Sequence, residues 1–354
     1  MTTAAAPEHG PLLARWRLAL ADLSPAYFGL VMATGIVALG AHMLGHAWPA
    51  RLLLWLNGVQ YAVLCVLYVL RAALYPRRFW ADLGDHARGP AYFTLVAATG
   101  ILASQAMVQL GSVRAGFVLW LLTAVFWLVL TYTIFAVLTV KRHKPALDRG
   151  ITGAWLLAVV ATQSVAVGSC LLAARIGQPL RLELNLLALS MWLWGGMLYI
   201  WLMSLIFYRY TFFRLAPGDL SPPYWINMGA MAISTLAGSL LIENAPHAPY
   251  LVSLLPFLKG FTLLYWATGT WWIPMLLLLG VWRHGLQRFP LRYDPLYWGA
   301  VFPLGMYAAC TWQMSQAMEF AFLQGLPPYF WGVALLAWLL TFAGMLRRLL
   351  RLSM

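Results

Sequence analysis

Charge is what this sequence lacks. Acidic residues are the scarcest: ten Asp and Glu stand against 23 Lys and Arg in 354 residues, and charged side chains together make up 9 %. All ten carboxylates fall in tails, loops or the ends of apolar runs. Proton relays and cation sites inside membranes usually need intramembrane carboxylates. Their absence argues against a cation channel and against a carboxylate-driven proton pump. Cysteine is nearly missing too. Cys65, Cys170 and Cys310 each sit inside an apolar run, which suits small buried hydrophobes better than disulfides or metal ligands. No CxxC, Ser/His/Asp or DDxxD-like arrangement is present, so the chain does not read as an enzyme, and no cofactor is implied. Residues 1–23 lack the continuous apolar core of a cleavable signal. They read as a short cytoplasmic tail in which Leu12 to Leu23, with Arg15 and Arg17, is suited to lie at a membrane surface.

Apolar residues, by contrast, make up 62 % of the chain, with a mean hydropathy of +0.76. Runs near 20 residues recur, which is the length a helix needs to cross a bilayer. They are continuous rather than alternating, so the fold class is an all-α integral membrane protein. Ten spans are expected: Pro25–Leu44, Leu52–Arg71, Pro90–Leu110, Ala115–Val140, Gly153–Ala174, Leu184–Tyr208, Pro222–Ile242, Phe257–Trp282, Pro295–Ala317 and Pro328–Leu346. With these spans, 18 Lys and Arg fall on the side of both termini and four on the other. That split places both termini in the cytoplasm of a cell inner membrane. It also accounts for the net charge of +13 without nucleic acid.

One stretch is written five times. Ser24-Pro25-Ala26-Tyr27-Phe28 returns as Gly89-Pro90-Ala91-Tyr92-Phe93, and more faintly as Thr152-Gly153-Ala154-Trp155, Ser221-Pro222-Pro223-Tyr224-Trp225 and Asp294-Pro295-Leu296-Tyr297-Trp298. A fixed period dictates architecture. Here it holds two helices, so one transmembrane domain (24–350) divides into five hairpins of like orientation (24–88, 89–151, 152–220, 221–293, 294–350). Five parallel repeats imply a pseudo-five-fold axis. The odd spans carry the Gly, Ser, Thr and Gln, and the even spans are greasier. Polar groups avoid lipid, so the odd spans are expected to form an inner ring around a central pore.

Each odd span opens with an N-cap type, and four have Pro at the first helical position. Five helix N-termini with their partial positive charges, beside the basic loops, should favour anions at the inner mouth. Aligning the repeats gives rings of residues. Thr34, Thr99 and Thr162 share one level. Gly35, Gly100, Gln163 and Gly305 share the next. Thr, Gln and backbone N–H groups suit a partly dehydrated anion, so these seven residues are the candidate pore lining. In the preceding ring Phe302 is the one aromatic among Met32, Ala97, Val160 and Gly229. Pro303 follows it and should kink the helix. An aromatic there either plugs a pore or packs between helices. His42 and His46, near the far end of span one, read as interfacial caps. Two further readings would use them: a proton-coupled dicarboxylate carrier, or a membrane-embedded haem or metal protein.

Met32-Ala33-Thr34-Gly35-Ile36 after Pro25-x-Tyr-Phe, Ala161-Thr162-Gln163-Ser164, Trp266 to Pro274 (WATGTWWIP), and Val301-Phe302-Pro303-Leu304-Gly305-Met306-Tyr307 resemble the tellurite-resistance/C4-dicarboxylate transporter (TDT) family. That family includes malate and sulfite transporters and plant slow anion channels. The resemblance covers nearly the whole chain. It implies ten helices in five hairpins, a homotrimer with one pore per subunit, small anions as substrates, and a plug by a span-nine phenylalanine, which falls on Phe302. The long regulatory tails of the plant channels are missing, so gating by phosphorylation does not carry over.

Overall fold

The computed structural model describes residues 12–353, so residues 1–11 of the expected tail lie outside the described residues. Ten long helices dominate. We number them α1 (Phe28–Met43), α2 (Ala47–Leu74), α3 (Phe93–Val108), α4 (Val113–Val140), α5 (Leu157–Ala173), α6 (Leu180–Phe212), α7 (Ile226–Asn244), α8 (Leu255–Val281), α9 (Trp298–Ala317) and α10 (Leu326–Ser353). The described part of the tail is a helix, Leu12–Ala21, packed on α2 and α10. Nine stretches are long and apolar enough to cross a membrane among the described residues. The odd one out is α9, whose Gly, Thr, Gln and Ser lower its hydropathy. Several helices overrun the sequence-predicted spans, α10 most of all, and α6 is the longest at 33 residues.

The odd helices close a ring: α1 packs on α3, α3 on α5, α5 on α7, α7 on α9, and α9 back on α1. Each even helix packs outside its own odd partner and touches the odd helix of the next repeat. Burial separates the two rings. In the apolar stretches of α1, α3, α5 and α7, 83, 83, 100 and 94 % of residues are buried, against 28, 22, 50, 22 and 11 % in the even helices. The small-residue content of the odd spans predicted this placement. Small residues let helix backbones approach closely. At Gly35 an added Cβ would stand 2.1 Å from Ile101 Cγ2, and at Gly305 2.9 Å from Ile36 Cγ2. Both glycines therefore face the neighbouring inner helix.

The repeated Pro-aromatic stretches form five 3-10 turns at the start of the odd helices, each touching the next around the ring. Three of the expected caps are made. Ser24 Oγ accepts from Ala26 N, Thr152 Oγ1 from Ala154 N, and Asp294 Oδ1 from Leu296 N. Gly89 and Ser221 supply no side-chain cap. Capping satisfies N–H groups that a helix start leaves unpaired.

A second belt ties the repeats together. Every even helix donates to, or shares hydrogen bonds with, the odd helix of the following repeat. Tyr61 meets Thr99 at 2.8 Å, and Asn57 donates to Gln105. Trp127 donates to Thr162 and Trp120 to Ser169. Trp192 donates to the Ser234 carbonyl and Tyr199 to that of Asn227. Trp266 donates to Thr311. Trp338 closes the circle by donating to Thr34 at 2.9 Å. In an apolar surrounding such polar groups find partners inside the protein or go unpaired.

Candidate functional site: the axial path

Two cavities lie along the axis of the inner ring. The lower one, at the 3-10 turn end, is small, about 20 Å³, roughly the room one water needs. Corresponding residues of all five repeats wall it in two tiers: Ala26, Ala91, Ala154, Pro223 and Leu296, then Gly29, Thr94, Leu157, Ile226 and Gly299. Phe302 and Met32 close its top, 1 and 2 % exposed. The upper cavity holds about 410 Å³. Its walls repeat the same rule, with Ile36, Ile101, Ser164, Ile233 and Met306 at one level and Met43, Val108, Leu171, Leu240 and Gln313 at a higher one. Gly100, Leu39, Ser104, Val167 and Leu236 also contribute to the wall. Its rim residues His42, Arg175 and Glu243 are exposed, so it opens at the end away from the turns.

The helical pitch explains the tiers. Residues three or four apart share a face, and the successive tiers step up the odd helices by such intervals. One stripe of each inner helix therefore faces the axis, and it is mostly apolar. Between the two cavities stands the Phe302–Met32 layer. Pro303, just above, leans on α7, where a Cβ on Gly229 would meet its Cγ at 2.7 Å. A proline cannot donate to the carbonyl four residues back, here that of Gly299, yet α9 runs through as one helix.

Of the seven residues expected to line the path, Gly100 lines the upper cavity and the other six line neither. The hydroxyls of Thr34, Thr99 and Thr162 face the outer ring, held by Trp338, Tyr61 and Trp127. Thr99 and Thr162 also donate to the carbonyls of Leu95 and Ala158, one helical turn back. Gln163 turns to its own outer helix and donates to the Trp192 carbonyl at 3.1 Å. Gly35 and Gly305 serve helix contacts, as described above. Replacing any one of the three threonines with valine is expected to lower stability by about 0.6–1 kcal/mol, the worth of one such bond, and to leave transport unchanged. Thermal unfolding of the detergent-solubilised variants, run beside a flux assay, checks both halves.

The basic residues also sit differently from the expectation. None lines the lower cavity. Arg71 is buried and donates to the Ala21 carbonyl and the Tyr92 hydroxyl while pairing with Asp82. Arg209 does the same with Ile151, Tyr224 and Asp219. Arg78 pairs with Asp22, and Arg88 with Asp82. Four of the 18 basic residues on the side of the turns are thus held in ion pairs, and two of them, Arg71 and Arg209, fasten one repeat to the next. His46 stacks on Trp331, with ring centroids 4.8 Å apart. No three His, Cys, Asp or Glu side chains come together among the described residues.

Two concentric helix rings around an interrupted axial path define a multi-pass membrane protein. Residues 22–346 match the family described as SLAC1, Voltage-dependent anion channel, and the chain belongs to that family. Among its relatives is an uncharacterized transporter of Methanocaldococcus jannaschii, 24 % identical over 88 % of this chain and 91 % of the relative. The Sulfite efflux pump SSU1 of Arthroderma benhamiae is 23 % identical over 92 and 90 %. An uncharacterized membrane protein of Mycobacterium tuberculosis is 38 % identical over 43 % of this chain and 77 % of its own length.

Proposed function

We propose that this chain is an anion channel or uniporter-like transporter of a cell inner membrane, moving C4-dicarboxylates or small oxyanions such as sulfite or tellurite along the axis of its inner ring. All ten long helices cross the bilayer as five parallel hairpins, with both termini in the cytoplasm. The low hydropathy of α9 does not count against this, because an inner-ring helix need not face lipid. One observation carries the reading: matching residues of all five repeats wall both cavities on a common axis. The uneven split of Lys and Arg supports the orientation, and the sulfite pump among the relatives supports the substrate class. Phe302 is the gate, with Met32 beside it. The homotrimer implied by the resemblance gives each subunit its own path.

The test is flux in proteoliposomes. Malate, sulfite, nitrate and chloride are offered in turn, with potassium as the cation control. Flux of at least one anion above protein-free vesicles, with none of potassium, is expected, and the absence of all anion flux would sink the proposal. His42 on the upper rim favours the proton-coupled carrier as a second reading. Uptake driven by an imposed pH gradient would move the assignment there.

A further inference from the structure

The lower cavity has no ionisable side chain in its wall. The upper cavity has three at its rim, each from a different repeat: His42 of α1, Arg175 just past α5, and Glu243 of α7. Gln313 of α9 donates its amide to the Glu243 carboxylate. Glu243 is in no ion pair among the described residues. Arg175 instead donates to the Leu171 carbonyl at 2.9 Å, and α3 brings only Val108 to this level. A carboxylate without a counter-ion on the wall of an anion path opposes what the path carries. Its repulsion grows with the charge of the passing ion.

We propose that Glu243 is a valence filter: it slows dianions relative to monoanions without excluding them, with Gln313 fixing its carboxylate against the wall. The proposal rests on the axial path argued above. A singly charged ion is repelled once at this rim and a dianion twice, while the guanidinium of Arg175 supplies the attraction that keeps the mouth passable. Glu243 is then a specificity-determining residue, and its removal shifts selectivity more than total throughput.

The experiment compares malate, a dianion at neutral pH, with nitrate in the same proteoliposomes. Glu243→Gln is expected to raise the malate-to-nitrate flux ratio about five- to tenfold, the size of one screened charge interaction across a water-filled mouth. Glu243→Asp keeps the charge and should keep the ratio within about twofold, a bound set by the same screened charge. Gln313→Glu adds a second carboxylate at the rim and should lower the ratio. Opposite shifts from two substitutions on facing helices cannot come from partial unfolding, which lowers both fluxes together. An unchanged ratio in Glu243→Gln and in Gln313→Glu overturns the filter and leaves the conducting path standing. A native protein that passes none of malate, sulfite, nitrate and chloride overturns the path itself, and the filter with it.

Discussion

Replacing Phe302 with alanine is expected to raise anion flux about tenfold or more. Phe302 and Met32 form the top of the lower cavity, and neither exposes more than 2 % of its surface. Narrow apolar constrictions gate by excluding water, and an anion crossing one must shed its hydration. Lowering that barrier by only about 1.4 kcal/mol gives the tenfold rise. A buried Phe→Ala change costs about 3–5 kcal/mol where the cavity stays empty. Here the vacated space lies between two existing cavities, so water can enter, and the loss of stability should fall short of that range. Bilayer recordings or vesicle flux measure the gain, and thermal unfolding measures the loss. Met32 still narrows the layer in the single variant, so adding Met32→Ala should open it further. Unchanged conductance in both variants would remove the gate from the account.

The architecture was legible in the sequence because the period repeats it five times. Span nine shows this best. By hydropathy α9 does not qualify as a crossing, but the Asp294-Pro295-Leu296-Tyr297-Trp298 copy marks its start at the expected interval. What the repeats could not supply was azimuth. Alignment puts Thr34, Thr99 and Thr162 at one level, and in the structure each hydroxyl meets an aromatic of an outer helix, Trp338, Tyr61 or Trp127. It did not say which way they face. The expectation that polar groups seek the axis overlooked a second polar surface, the indole N–H and phenol groups of the outer helices. A depth-matched set of Trp and Tyr on the even spans was the available signal. Once those aromatics claim the threonines, this level of the axis is left to Ile36, Ile101, Ser164, Ile233 and Met306. Phe302 stands out in the sequence as an aromatic among small residues, and in the structure it lines the lower cavity. Glu243 was passed over as a solvated helix end, since nothing local in Ile242-Glu243-Asn244 reveals a cavity beside it.

The same lesson applies to the arginines, and it yields the largest stability effect. By position Arg71 reads as one more basic residue orienting the chain. In the structure its side chain is 1 % exposed and joins three elements. Its Nε donates to the Ala21 carbonyl at 3.1 Å, its Nη1 to the Tyr92 hydroxyl at 3.3 Å, and its Nη2 pairs with Asp82, itself only 10 % exposed. The contact runs from the first repeat to the tyrosine of the second. Arg209 runs likewise from the third to Tyr224 of the fourth. Between the second and third repeats the tyrosine is replaced by Trp155, and no arginine side chain bonds to it among the described residues. Lys141 reaches the Gly84 carbonyl instead, and the Trp155 indole donates to the carbonyls of His86 and Gly150. The Arg–Tyr hydrogen bond thus joins two of the five junctions, first to second and third to fourth. Arg71→Met should therefore cost about 3 kcal/mol, the lower end for breaking a buried pair, because Arg88 still reaches Asp82 at 3.3 Å. Arg71→Lys should recover little, since an ammonium cannot serve three acceptors in the plane a guanidinium covers. Adding Asp82→Leu to Arg71→Met should restore part of the loss, because a buried carboxylate left with only the half-exposed Arg88 as partner goes with it. Thermal unfolding of the four proteins decides the point. A double variant no more stable than Arg71→Met alone would mean that Asp82 is solvated rather than clamped.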